Sequence, residues 1–141
     1  MSIKRTLVTA AALLITPSLL GAGVRGEADP YVCSLTKAVE CDSELCGPPA
    51  PPDVPHPTFI RVDLDNNLIT LLAPDERRGE TTQIRTTERS GDHVVMTGIS
   101  AGRGWTMTLS ETDGGAVITV NLGDAAFVVF AQCIAEDLLS P

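Results

Sequence analysis

From Thr58 onward, short segments rich in Thr, Val and Ile alternate with turn residues at intervals of about ten to twelve positions. Within a segment, apolar and polar residues alternate, which is typical of a strand with one buried face. For example, Trp105, Met107 and Leu109 share one face, and the two intervening threonines lie on the other. The pattern predicts strands over 58–64, 68–72, 81–87, 93–99, 105–109, 116–120 and 125–133.

An earlier segment, Tyr31 to Cys46, carries three of the four cysteines. A period of two places one polar residue, Lys37, among apolar residues on a single face. That face comprises Tyr31, Cys33, Leu35, Lys37, Val39 and Cys41. We interpret the segment as a strand, and a short helix over 34–40 is the competing interpretation. As a strand, it brings the total to eight.

The loops between these strands are mostly short, so neighbouring strands must be antiparallel and the topology should be a meander. The prediction is therefore an all-β domain that closes into a small barrel or forms a two-layer sandwich. The predicted core consists of Ile60, Val62, Leu64, Ile69, Leu71, Ile84, Trp105, Met107, Leu109, Ile118, Val120 and Val128.

The chain begins with a pattern typical of a secretory signal. Lys4 and Arg5 precede an interrupted apolar run, and Gly26 and Ala28 suit peptidase cleavage. We predict a signal peptide over 1–28 and a single β domain over 29–141, located in the periplasm or secreted. The apolar run is too short to span a bilayer, so no membrane anchor is expected in the mature form.

An exported chain meets an oxidising compartment, so the four cysteines are expected to form two disulfides. We favour Cys33–Cys133, which would join the first and last strands, together with Cys41–Cys46, which would close a turn. A bond from Cys41 or Cys46 to Cys133 remains the alternative. The spacing of Cys41 and Cys46 is too long for the two-residue step of thiol oxidoreductases and most zinc knuckles.

Six prolines lie between Gly47 and Pro57. Proline fixes φ and removes the backbone donor, so the segment 47–57 should be extended and outside any sheet. A docking motif for a proline-groove domain is possible in principle. A stiff connector is preferred, because those partner domains are mainly intracellular.

The domain over 29–141 has seven lysines and arginines against seventeen carboxylates, which gives a formal charge of −10. That charge opposes the binding of nucleic acid and anionic lipid, and it favours cationic partners. No serine-hydrolase, metal-site or phosphate-loop spacing is present, so neither an enzyme nor a cofactor is predicted.

Loops carry function on a rigid β scaffold, so Arg77, Arg78 and Arg103 are candidate contacts, although solvated loop tips more often contain such residues. Trp105, the single tryptophan, is a candidate pocket wall or interface anchor. Its alternative role is that of an ordinary core residue packed with Met107 and Leu109.

The layout resembles a group of small, exported, uncharacterised proteins of alphaproteobacteria. The resemblance rests on the signal, the early cysteines, the Thr/Val/Ile strands and the final Phe130-Ala131-Gln132-Cys133. It implies a disulfide-tied β domain and no particular activity. The architecture is also similar to the periplasmic inhibitors of c-type lysozyme, which carry a Ser-Gly-x-x-Tyr loop. Ser90-Gly91-Asp92-His93 is the corresponding step here and lacks the tyrosine, so the inhibitory role does not carry over.

The expected function is a non-enzymatic periplasmic binding or accessory protein that acts through its loops on another protein, such as a cationic envelope protein. The alternatives are a small-ligand carrier using the barrel interior and a structural envelope protein. A cavity larger than roughly 300 Å³ lined by Trp105 and its neighbours would place the ligand carrier first. The oligomeric state is not predicted.

Overall fold

In the computed structural model, which describes residues 30–49 and 55–139, the chain folds into an antiparallel meander that closes into a barrel. Eight strands form the wall, and a ninth, β2, lies outside it as a short extension of β1. The strands are β1 (Tyr31–Cys41), β2 (Cys46–Gly47), β3 (Phe59–Asp63), β4 (Leu68–Ala73), β5 (Thr81–Ser90), β6 (His93–Ser100), β7 (Arg103–Ser110), β8 (Gly115–Asn121) and β9 (Ala126–Ala135). Short 3-10 turns cover Asp75–Arg77 and Glu136–Leu139.

Pairing of β1 with β9 closes the barrel, which settles the choice between barrel and sandwich. The register runs from Tyr31 opposite Ala135 to Cys41 opposite Ala126. Cys33 lies directly opposite Cys133, and their sulfurs are bonded, as are those of Cys41 and Cys46. Both predicted disulfides are confirmed. They indicate an oxidising compartment outside the cytoplasm.

The barrel interior is filled by side chains from every wall strand. Met96, Met107, Leu109 and Val94 are fully buried near its centre. Most of the predicted core is confirmed, with Leu64, Ile118 and Val120 packed against it from partly buried positions. The sequence analysis missed the buried residues Cys33, Val94, Met96, Ala116, Ala131 and Cys133.

The prediction that Val128 belongs to the core is wrong. The inner face of β9 carries Ala131 and Cys133, which are buried. Val128 lies an odd number of positions from both and pairs with Thr119 of β8 and Val39 of β1. It is therefore on the outer face. Because β9 is apolar on both faces, its pattern alone could not identify the inner one.

The predicted common face of β1 is also wrong beyond Leu35. The β1–β9 register shifts between Leu35 and Lys37, which leaves Thr36 as a bulged residue. A bulge adds one residue and reverses the alternation of side chains. Leu35 therefore packs against the core, whereas Lys37 and Val39 lie on the outer face. The bulge therefore explains why one polar residue, Lys37, occurs among the apolar residues of the predicted face.

Two predicted segments fall wholly or partly outside the described residues. The predicted signal, 1–28, lies outside them, as does part of the proline-rich connector, 50–54. The last residue of the β1–β3 connection, Thr58, lies between β1 and β4. The backbone N–H of Leu35 donates to Thr58 O at 2.9 Å, and the backbone N–H of Thr58 donates to Ala73 O at 3.0 Å. Helices long and apolar enough to cross a bilayer are absent from the described part of the chain.

The meander sorts the connections onto two ends of the barrel. We call the end that carries the β1–β3 connector and the β4–β5, β6–β7 and β8–β9 loops the upper end. The lower end carries the β3–β4, β5–β6 and β7–β8 turns. At the lower end Arg61 Nη1 lies 2.9 Å from Asp63 Oδ2, and Arg61 Nη2 lies 3.0 Å from Glu136 Oε2.

Asp63, at the end of β3, is only 7 % exposed. Asn66 donates to its carboxylate through the side-chain amide at 3.0 Å and through the backbone N–H at 2.9 Å. These two hydrogen bonds are the largest cause that holds the pKa of Asp63 below its ordinary value of 3.8, and Arg61 contributes further. The carboxylate is therefore part of the closed lower end.

We expect Asp63→Asn to reduce the free energy of unfolding by about 1–3 kcal/mol at pH 7, because it removes one of the two buried oxygens that accept from Arg61 and Asn66. The folded-state pKa of Asp63 is depressed, so its contribution is present above pH 3.8 and is lost as the pH falls through the folded-state pKa. Urea denaturation of both proteins across pH 2–7 measures this difference. Asp65→Asn, in the adjoining exposed turn, serves as the matched control. A difference independent of pH would contradict this role.

A glycine on β6 allows Trp105 to lie against the barrel wall. Gly98 is directly opposite Trp105, and a Cβ there would overlap the indole ring and lie 2.6 Å from Gln83 O. We expect Gly98→Ala to lower the free energy of unfolding by about 1–3 kcal/mol through overpacking. Gly104→Ala, where a Cβ meets nothing within 4 Å, is the control. Equal denaturation midpoints for the two variants would show that the indole is not tightly held.

Candidate functional site

A cleft of about 830 Å³ opens to solvent at the upper end of the barrel. Its walls come from the β1–β2 hairpin tip, the β8–β9 turn, the beginning of β7 and the adjoining ends of β6 and β8. The lining residues are Cys41, Asp42, Ser43, Thr97, Gly98, Gly104, Trp105, Thr106, Thr119, Val120, Asn121, Gly123, Asp124, Ala125 and Ala126. These segments are distant in sequence, and closure of β9 onto β1 brings them together.

Trp105 is both a core residue and part of the cleft wall. Trp105 is only 6 % exposed, and its indole Nε1 donates to Thr82 Oγ1 at 3.2 Å. The hydrogen bond satisfies the one polar atom of the ring and fixes its orientation. Trp105 therefore combines the two roles considered from the sequence, core residue and pocket wall. It is packed in the core and supports the cleft from beneath, without projecting into it.

Three threonines in the cleft lining continue a row across the outer face of the barrel. Thr97, Thr106 and Thr119 are successive partners on β6, β7 and β8. Thr86 on β5 extends the row, with its Oγ1 at 2.6 Å from Thr97 Oγ1. Such cross-strand hydroxyl pairs stabilise a sheet, and the hydroxyls nearest the cleft also add hydrogen-bonding groups to its wall.

Two carboxylates line the cleft, Asp42 in the hairpin tip and Asp124 in the β8–β9 turn, which lie side by side because Cys41 pairs with Ala126. Asp42 Oδ1 accepts the backbone N–H of Leu45 at 2.9 Å and of Glu44 at 2.8 Å. These hydrogen bonds, from Leu45 first, lower the pKa of Asp42 below its ordinary 3.8. The hairpin tip therefore presents a fixed, ionised carboxylate. Asn121 Oδ1 accepts the N–H of Gly123 at 2.7 Å and shapes the β8–β9 turn.

All four predicted contact residues belong to the upper end, but only Trp105 lines the cleft. Arg77 Nη2 lies 2.6 Å from Glu80 Oε2, and its Nη1 donates to Pro55 O at 3.2 Å. This arginine ties the β4–β5 loop to the connector. Arg78 pairs with Asp75 at 2.6 Å. Arg103 is exposed at the start of β7 and has no ion-pair partner among the described residues.

A second, smaller cavity of about 220 Å³ lies where the connector crosses β1 and β9, with Leu35, His56, Pro57 and Val129 in its lining. The rings of His56 and Phe127 meet edge to face, with centroids 5.7 Å apart. The space is small and mainly apolar, so it is a packing gap beneath the connector.

The described residues contain no group of three or more His, Cys, Asp or Glu side chains arranged to hold a metal ion. His93 Nδ1 lies 2.8 Å from Asp92 Oδ1 in an exposed turn at the lower end. That dyad is far along the strands from the cleft and belongs to the lining of neither cavity.

Sequence reasoning missed the polar lining of the cleft, namely Asp42, Thr97, Thr106, Thr119, Asn121 and Asp124. A usable signal was present, because the predicted meander places alternate loops at one end. That rule would have grouped the 42–46 turn with the Gly123-Asp124 turn. Comparison of the chain with protein-family models, with curated proteins and with solved structures found no match.

Proposed function

We propose that the protein is a non-enzymatic binding protein of an oxidising compartment outside the cytoplasm, and that the upper-end cleft holds a small ligand. The observation that supports this is the cleft itself, which at about 830 Å³ exceeds the size set above and includes Trp105 in its wall. Ligand pockets of proteins commonly measure 300–1,000 Å³. The ligand carrier thus moves ahead of the protein-binding role.

The ligand site in this proposal lies at the rim of the barrel and not in its interior. Met96, Met107 and Leu109 are fully buried and occupy the centre of the barrel. Small barrels are commonly filled in this way. Access from solvent is direct, since the cleft is open, and Trp105 is among its lining residues.

The lining favours a ligand that is rich in hydrogen-bond donors and carries positive charge. Asp42, Asp124 and Asn121 offer acceptor oxygens, and the threonine hydroxyls add more. Among the described residues, the lining includes no lysine or arginine to supply a counter-charge to an anionic ligand. The negative charge of the whole domain would also steer a cationic ligand toward the cleft.

A second candidate is a cationic protein partner that inserts a side chain or loop into the same cleft. Leu45, at the hairpin tip beside the cleft, is 66 % exposed and is the kind of apolar anchor that a protein contact uses. Arg103 on the neighbouring β6–β7 turn is also exposed. The cleft is open to solvent, so a protruding loop can reach it, and this role is kept as the alternative.

Because Trp105 is the single tryptophan, its fluorescence reports directly on the cleft. We expect spermidine to change this fluorescence in a saturable manner and citrate to leave it unchanged. Asp124→Asn should weaken spermidine binding by about tenfold, which corresponds to 1.4 kcal/mol and to the loss of one charged partner.

Asp65→Asn, which removes one carboxylate at the lower end, controls for net charge. Equal weakening by both variants would mean that spermidine binds by overall charge and not in the cleft. Saturable binding of citrate would contradict the proposed ligand chemistry. Capture of a basic envelope protein that Asp124→Asn abolishes, with no response to spermidine, would favour the second candidate.

A further inference from the structure

The two disulfides occupy opposite environments. Cys33 is 0 % exposed and Cys133 2 %, and both belong to the hydrophobic core. Cys41 is half-buried and Cys46 exposed, at the tip of a hairpin that projects beyond the barrel wall. Exchange with an external thiol requires direct access to a disulfide sulfur. Of the two bonds, only Cys41–Cys46 meets this requirement in the folded protein.

The two bonds also differ in what depends on them. Cys33–Cys133 spans 100 residues and staples the strand pair that closes the barrel, whereas Cys41–Cys46 spans five. The loss of chain entropy on cross-linking grows with loop length, so the short bridge contributes less to stability. It can therefore open while the barrel remains folded.

We propose that the Cys41–Cys46 disulfide is a thiol-exchange site, reducible by a dithiol independently of Cys33–Cys133. The thiolate of the reductant attacks Sγ of the exposed Cys46, the disulfide breaks, and its electron pair leaves on Sγ of Cys41, which takes up a proton. The second thiol of the reductant then attacks the mixed disulfide and releases Cys46 as a thiol. Two electrons pass to the protein, and the reductant ends as a disulfide.

The consequence of reduction falls on one wall of the cleft. β2 has two residues and pairs with β1 through Glu40 with Gly47 and Cys41 with Cys46. Without the covalent bond, the described residues hold the tip by this pairing, by the hydrogen bonds that Asp42 Oδ1 accepts, and by the backbone bond from Asp42 N–H to Leu45 O at 3.0 Å. Asp42 and Ser43 line the cleft, so reduction loosens the position of their polar groups. This coupling to ligand binding rests on the proposed function, and the exchange site itself does not.

The test is stepwise reduction of the oxidised mature protein with dithiothreitol at pH 8, acid quenching, alkylation and peptide mass mapping. We expect Cys41 and Cys46 to be labelled at reductant concentrations at least tenfold below those that label Cys33 and Cys133. The far-ultraviolet circular-dichroism spectrum should be unchanged at the intermediate stage. Simultaneous labelling of all four cysteines, earlier labelling of Cys33 and Cys133, or loss of β-structure at the first step would overturn the proposal.

Two double variants separate the roles of the bridges. Cys41→Ser with Cys46→Ser should keep the barrel spectrum and leave the remaining bridge as resistant as before. Cys33→Ser with Cys133→Ser should lower the urea midpoint far more. If the first variant instead unfolds, the short bridge is structural and the proposal fails.

Acrylamide quenching of Trp105 and spermidine binding, measured in the oxidised and selectively reduced forms, test the coupling. Tighter or unchanged spermidine binding after reduction would overturn the coupling to the cleft. A lack of spermidine binding in both forms would count against the proposed function, and the alkylation pattern would decide the exchange site separately.

Discussion

Pairing of the first strand with the last determines this structure. A meander that is not closed leaves two free edges and an unfilled inner face, and only closure of β1 onto β9 removes both. Bringing together segments about a hundred residues apart in sequence costs loop entropy before any contact forms. The Cys33–Cys133 bridge lies at this junction, with both sulfurs inside the core. It reduces the freedom of the unfolded chain at the place where closure costs most.

Closure also makes the two ends of the barrel chemically different. At the lower end Arg61 bridges Asp63 and Glu136, and Tyr31 Oη donates to Glu111 at 3.3 Å. These contacts join β1, β3, the β7–β8 turn and the C-terminal turn. At the upper end β1 continues past the last residue that pairs with β3, Ser34, and carries β2 outward with it. The upper rim is therefore incomplete on one side, and the cleft lies beside this extension.

Much of the fold could be predicted because strand alternation is a local property. The alternation of Trp105, Met107 and Leu109 with polar residues identifies the buried face of their strand without reference to any other strand. That strand is confirmed. The inner face of β1 could not be predicted, since the bulge at Thr36 is set by register against β9 and not by the local pattern. The prediction that Val128 lies in the core was wrong for a related reason. β9 is apolar on both faces, so its inner face is identified only by its pairing with β1 and β8. The burial of Asp63 depends on its contact with Arg61 and on the conformation of the turn at Asn66. The sequence pattern around an aspartate shows neither of these contacts, so the burial could not be predicted.

The candidate site was the least predictable part, because it belongs to no single segment. Asp42 and Asp124 are about eighty residues apart, and each alone reads as an ordinary turn former. They share a cleft because β1 and β9 pair along their whole length, which carries the two turns to one rim. The same extension that builds the cleft wall also exposes the Cys41–Cys46 bridge, since a strand that outruns its neighbour loses the cover that the barrel gives Cys33. Site and accessible disulfide are thus two consequences of one feature, the greater length of β1 relative to β3.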